Sequence, residues 1–298
     1  MEGREKVIRK VTLWGAFINI ALTVAKLLAG VFGKSAAMVA DGVHSLSDLL
    51  TDAVVLIFTH ISSKGKDRNH SFGHGKFETM ATLIISIILA VVGAKLMEGG
   101  IRSIIEVADG KTLPKPGYIA LAAAIISIIL KEILYQWTAK VGKDTNSPAV
   151  VANAWHHRSD ALSSIGSLIG IGGAIILGQK WTILDPIASC GISIAIIVVA
   201  VRMAIPSLSE LLETSLPESI ENEIIATASS INGVKDIHNL KTRRNGVSAI
   251  IDAHIVVDPS ISITEAHDIA TEVEEALSRK LGSETQISIH IEPDKNSR

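Results

Sequence analysis

The chain has 298 residues, 48% of them hydrophobic, 4% aromatic and 19% charged, with a mean hydropathy of +0.40. A charged fraction below the roughly 25% of soluble domains, over so long an apolar chain, excludes an ordinary soluble enzyme and an intrinsically disordered protein. The net charge of −2 conceals a division, because residues 1–206 carry +6 and residues 207–298 carry −8; a single cysteine, Cys190, also excludes a disulfide scaffold or a cysteine-built metal centre.

Crossing a bilayer takes about 20 predominantly apolar residues. Six stretches meet that length: 11–32, 37–61, 79–101, 117–138, 149–177 and 184–206. The second and fifth are interrupted by His, Asp and Ser and would escape a strict hydropathy window. The first follows MEGREKVIRK and is too long for the core of a cleavable signal, so it reads as a span. Lys26, towards its end, is expected to snorkel to the interface. Lys and Arg gather before span one (Arg4, Lys6, Arg9, Lys10), after span two (Lys64, Lys66, Arg68, Lys76) and after span four (Lys140, Lys143). The alternate loops are poorer, which puts both termini in the cytoplasm.

Beyond Pro206 the period changes. Residues 217–232 read as an amphipathic helix, 235–243 as a strand, and Val247 to Val257 as a second strand after an Asn245-Gly246 hairpin turn. Residues 263–281 repeat at helical spacing and stop at Gly282, and Ile287 to Ile291 is a last strand. The expected architecture is an α-helical membrane protein of six transmembrane helices, 1–206, followed by an α+β domain in the order α-β-β-α-β, 207–298.

Ser35–Leu50 (SAAMVADGVHSLSDLL) and Ser147–Leu162 (SPAVVANAWHHRSDAL) align at a fixed offset, and eight of the sixteen positions agree, including His44/His156 and Asp48/Asp160. The copies lie in spans two and five, an odd number of spans apart, so they cross the membrane in opposite directions. Such inverted repeats place a transporter's substrate site near the midplane. His44 with Asp48, and His156 with Asp160, are four residues apart and share a helix face. Each lies about 8–12 residues into its span, roughly 12–18 Å deep. Ionisable groups there are costly and functional. Two imidazoles and two carboxylates form an N2O2 set suited to a divalent ion such as zinc. The bland alternative is a structural hydrogen-bond network, which one His–Asp pair would favour and two symmetric pairs disfavour. Asp41 and Asn153, one turn earlier on the same faces, read as supporting or entry groups. Neither HExxH nor GxxxxGK[ST] occurs, against a metalloprotease or an ATPase.

The two HxxxD motifs, with DRNHSFGHGKFE at 67–78, resemble the cation diffusion facilitator family of metal–proton antiporters. The resemblance covers nearly the whole chain and is nearest to compact bacterial zinc and iron efflux members, many of which have aspartate where this chain has His44. It implies a transport site of His44, Asp48, His156 and Asp160, and a second metal site of Asp67, His70 and His74. The latter spacing also suits a helical turn, while Gly73 and Gly75 equally suit a loop. Within 207–298, His290 and Glu292 alternate on a strand and share one face. The resemblance makes His238, His254, His267, His290 and Glu292 a binuclear zinc site in a cytoplasmic, metallochaperone-like dimerisation domain. It also implies a charge interlock between Lys76 and Glu213.

The function expected is export of divalent cations, Zn2+ first and then Fe2+, Cd2+ or Mn2+, in exchange for protons. The expected setting is a homodimer in the lipid of the inner cell membrane, without enzymatic activity and without nucleic acid as partner. The rival is a metal-responsive membrane sensor or assembly protein without transport, which gives no reason for four ionisable groups near the midplane.

Overall fold

Helix occupies most of the first 211 residues because long apolar runs in lipid satisfy every backbone polar group only within themselves. The structure, a computed structural model, describes residues 2–62, 67–144, 148–246 and 248–295. Readings that rest on Lys64, Lys66, Ser147 and Val247 lie outside these residues. The long helices are α1 (Glu2–Phe32), α2 (Ala36–Ser62), α3 (Lys76–Ala108), α4 (Tyr118–Asp144), α5 (Pro148–Ile176) and α6 (Leu184–Leu211). Over the described residues five stretches are long and apolar enough to cross a membrane: Lys10–Phe32, Lys76–Ala108, Tyr118–Asp144, Asn153–Ile176 and Gln179–Leu211. The fifth predicted span is therefore apolar enough after all, once the Leu168–Ile176 run is weighed against its polar start. Helix α2 is not among the five; its described part carries Asp41, Asp48 and Asp52.

The chain forms two compact units, one of residues 1–53 with 85–202 and one of residues 54–84 with 203–298. In the first unit, α2 starts at a built cap. Ser35 Oγ donates to Asp185 Oδ1 at 2.6 Å, and the Ala36 amide donates to Asp185 Oδ2 at 2.7 Å. A carboxylate at a helix N-terminus satisfies free amides and complements the helix dipole. Helices α3 and α6 touch through small residues: a Cβ at Gly100 would stand 2.5 Å from Cys190 Sγ. Close approach through small residues is how helices pack without a hydrophobic drive.

In the second unit, α7 (Glu218–Ser229), β1 (Asp236–Asn245), β2 (Ser248–Val257), α8 (Ile263–Leu281) and β3 (Gln286–Pro293) follow the expected order. The sheet order is β1-β2-β3, with β1/β2 antiparallel and β2/β3 parallel. The hairpin forms, but Asn245 is still in the ladder, paired with Ser248, and Gly246 follows it at φ 64°. Helix α8 begins in a capping box, Ser262 with Glu265, and carries its apolar stripe Ala266, Ala270, Val273 and Leu277 inward. That stripe packs on Ile251, Ile255, Val257 and, from β3, Ile289. Alternation leaves Asp252, His254, His290 and Glu292 on the sheet's other face.

Candidate metal centres

The first centre lies in the first unit, between α2 and α5. One ligand atom from each of Asp48, His156 and Asp160 lies within 4.8 Å of the other two. His156 Nδ1 stands 3.9 Å from Asp160 Oδ1. His44, one turn before Asp48, is not drawn into this trio, and its Nδ1 is buried without a hydrogen-bond partner among the described residues. Two carboxylates with one imidazole, and a second imidazole one turn away, form a donor set for a first-row divalent cation.

Two buried lysines lie in the same unit, one of them against a carboxylate of the trio, and the sequence reading missed the part they play. Lys131 of α4 donates to Asp160 Oδ2 at 2.5 Å. Lys26 does not snorkel as expected. It is 1% exposed, pairs with Asp41 Oδ2 at 2.9 Å and donates to Ser45 Oγ and Ser164 Oγ at 3.1 and 2.8 Å. An acid on the neighbouring helix satisfies the ammonium at depth, so the side chain has no need to reach the interface. Asp41, expected as a supporting or entry group, is closed inside this ion pair, which fits support and not entry. A signal for Lys131 existed: a charge inside a predicted span is functional by default. His157, next to His156, was also missed; it is 3% exposed and neither ring nitrogen has a hydrogen-bond partner among the described residues.

The second centre is in the loop before α3 and is a loop, not a helical turn. Asp67 Oδ1 accepts the amides of Asn69 and His70 at 2.8 and 2.7 Å. These amide bonds hold its carboxyl below the usual range. His70 Nδ1 and His74 Nε2 stand 3.2 and 3.3 Å from the two Asp67 oxygens. Within the same unit the loop is pressed on the hairpin turn: a Cβ at Gly75 would lie 2.5 Å from the Asn245 carbonyl. Asn245 Nδ2 donates to the Phe72 carbonyl at 2.7 Å. Beside them Lys76 Nζ and Arg243 Nη1 each approach a Glu213 oxygen to 2.6 Å. Lys76 first, then Arg243, holds the Glu213 carboxyl low.

The third centre is a histidine row on the open face of the sheet. His238 opposes His254 across β1/β2, and His254 opposes His290 across β2/β3. Glu292 reaches back to them, its Oε1 2.8 Å from His254 Nδ1 and its Oε2 3.5 Å from His238 Nε2. His238, His254 and Glu292 each offer a ligand atom within 4.8 Å of the others, and the His290 ring lies 4.6 Å from that of His254. The hydrogen bond from His254 chiefly keeps the Glu292 carboxyl below its ordinary value. His267 stands apart on the exposed side of α8, which covers the opposite face of the sheet.

Comparison with known proteins gives the family. The sequence profile of the cation efflux transmembrane domain matches residues 13–212, and that of the cytoplasmic domain of cation efflux proteins matches residues 216–294. The chain belongs to the cation diffusion facilitator family. Among its relatives, the manganese efflux system protein MneP of Bacillus subtilis is 34% identical over 97% of this chain and 97% of its own. Metal tolerance protein C1 of Arabidopsis thaliana is 36% identical over 98% of this chain and 63% of its own. A solved structure of CzrB in its zinc form matches 28% of this chain and 96% of its own at 30% identity, with a TM-score of 0.26. As a cation diffusion facilitator, the chain is a multi-pass membrane protein of divalent metal cation efflux. Members of this family are transporters rather than enzymes, and the C-terminal match is to their dimerising domain.

Proposed function

We propose that the chain exports Zn2+ from the cytoplasm in exchange for protons, with the ion held by Asp48, His156 and Asp160 and by His44 once its ring turns inward. The observation that carries this is the convergence of Asp48, His156 and Asp160 within 4.8 Å between two membrane helices. Imidazole and carboxylate must be free of protons to bind a metal. A site that holds either the ion or protons, but not both, exchanges one for the other as access alternates. The inward proton gradient then drives the ion out.

In this reading residues 1–206 form the transmembrane part and residues 207–298 a cytoplasmic one, both termini are cytoplasmic, and the membrane is the inner cell membrane. The loop trio and the histidine row on the sheet bind metal as a cytoplasmic supply and control. The row sits in the dimerising domain, so ion binding there stabilises the paired state by mass action.

A second reading replaces Zn2+ by Mn2+. It is favoured by the name of MneP, a relative aligned over 97% of both chains, and by the two oxygens among the three converging donors, since carboxylate suits Mn2+. Purified protein in vesicles with a proton gradient and an internal pH dye, given Zn2+, Mn2+, Fe2+ and Cd2+ in turn, separates these readings. Zinc-driven proton movement exceeding that with manganese supports the first. Manganese-only exchange supports the second, and metal movement without protons refutes antiport.

A further inference from the structure

Lys131 is the buried cation that ion binding by Asp48, His156 and Asp160 leaves without a task. Its side chain is 4% exposed, and its ammonium lies 2.5 Å from Asp160 Oδ2. That carboxylate is also the one whose ligand atom sits within 4.8 Å of those of Asp48 and His156. The other buried lysine is arranged differently. Lys26 has Asp41 as its acid and Ser45 and Ser164 as further acceptors, all outside the ligand trio. Lys131 therefore spends its charge on the ion's own ligand. An ammonium and a divalent cation cannot both sit against one buried carboxylate without strong mutual repulsion, which the low local dielectric leaves unscreened.

Resting on the reading of this trio as the transport site, we propose that Lys131 is a tethered competitor of the transported ion. Its ammonium occupies Asp160 while the site is ion-free and withdraws when the divalent cation arrives. Ser127, one turn earlier on α4, lies on the side towards which a helical side chain leans. Its hydroxyl is buried and 3.4 Å from that of Ser164, which is itself bonded to the charge-paired Lys26 and Asp41, so the withdrawn ammonium has Ser127 Oγ as a neutral acceptor beside an already balanced ion pair. The competitor lowers the affinity that the ligands alone would give and so speeds release. It also spares the empty site an uncompensated buried carboxylate, which would be costly.

The test is equilibrium binding of Zn2+ and of Mn2+ to the purified full-length dimer, measured by calorimetry in a His74→Ala, His254→Ala background that silences the loop and sheet centres. Lys131→Met is expected to tighten binding at least tenfold, and Lys131→Arg, which keeps the charge, to stay within about threefold of the parent. Thermal unfolding supplies a second readout: without ion Lys131→Met melts lower than the parent, and saturating ion raises its Tm by more than it raises the parent's. Lys131→Gln serves the same comparison if the methionine variant does not fold. Unchanged or weaker binding in the uncharged variant overturns the competitor. Asp160→Asn is the control: if it abolishes binding while Lys131→Met leaves affinity unchanged, only the competitor fails. If Asp160→Asn binds as the parent does, the transport-site reading fails as well.

Discussion

His44 Nδ1 is buried and unsatisfied beside three converging ligands, so position 44 is where the donor set is still open. His44→Asp would add a third carboxylate to a site that already has two. It is expected to retain zinc transport and to broaden the range towards Cd2+, read as the ratio of zinc to cadmium flux in vesicles; a ratio identical to wild type would show that this residue does not tune selectivity. The HxxxD pairs stood out because polar groups at helical spacing are conspicuous in an apolar span, and three of their four residues converge. Lys131 carried the same signal and was read past, and Lys26 was read as snorkelling. Lys131 adjoins Glu132 and resembles an interfacial pair, while the partner that explains Lys26 lies on another helix. No local spacing encodes such a partner, so the ion pairs became visible only in three dimensions.

Elements were more legible than contacts. Helix α8 runs over 263–281 as its period and its Gly282 stop predict, and β1 and β2 form the expected hairpin, with Asn245 paired to Ser248 rather than in the turn. Ser262→Ala removes the capping hydroxyl and is expected to cost about 1 kcal/mol, read as a lowered thermal midpoint of the C-terminal transition. Gly75→Ala is expected to loosen the loop from the hairpin, because its Cβ would stand 2.5 Å from the Asn245 carbonyl, a backbone atom that cannot step aside. Proteolysis should then cut sooner near Phe72, and unchanged protection would contradict that packing. The histidine row was only half legible: alternation gave His290 and Glu292 one face. The alignment of His238, His254 and His290 needed the β1/β2/β3 register, which the α8 crossover fixes at long range. His267 shows the converse. The resemblance grouped it with the others, while the helix that carries it packs on the opposite face of the sheet.

At the scale of the whole molecule, the acidic half contains several carboxyls held low by the folded structure. Asp258 is held at about 2, first by the Ser260 hydroxyl and amide and then by Lys235. Glu213, Glu265 and Glu292, with Asp67 in the loop, are lowered as well. A carboxyl depressed on folding contributes stability that is present above its unfolded pKa of about 4 and lost as pH falls through the folded value. The C-terminal unit should therefore lose stability on acidification from about pH 4.5 to 2. Asp258→Asn should flatten the lower end of that profile in denaturant titrations at fixed pH, and an unaltered profile would contradict the assignment. Control by metal belongs to the same scale. Replacing both His254 and His290 by Ala should remove zinc-dependent stabilisation of the dimer yet leave slower exchange of zinc for protons. Complete loss of exchange with an intact membrane cluster would make the row part of the permeation path instead.

The central claim is that the ion crosses on the carboxylates between α2 and α5. Its most direct test is zinc flux, with simultaneous proton readout, in vesicles holding folded dimers of wild type, Asp48→Ala or Asp160→Ala. The account predicts zinc-for-proton exchange in wild type and none above empty vesicles in either variant. Near-normal zinc flux in either variant would contradict it.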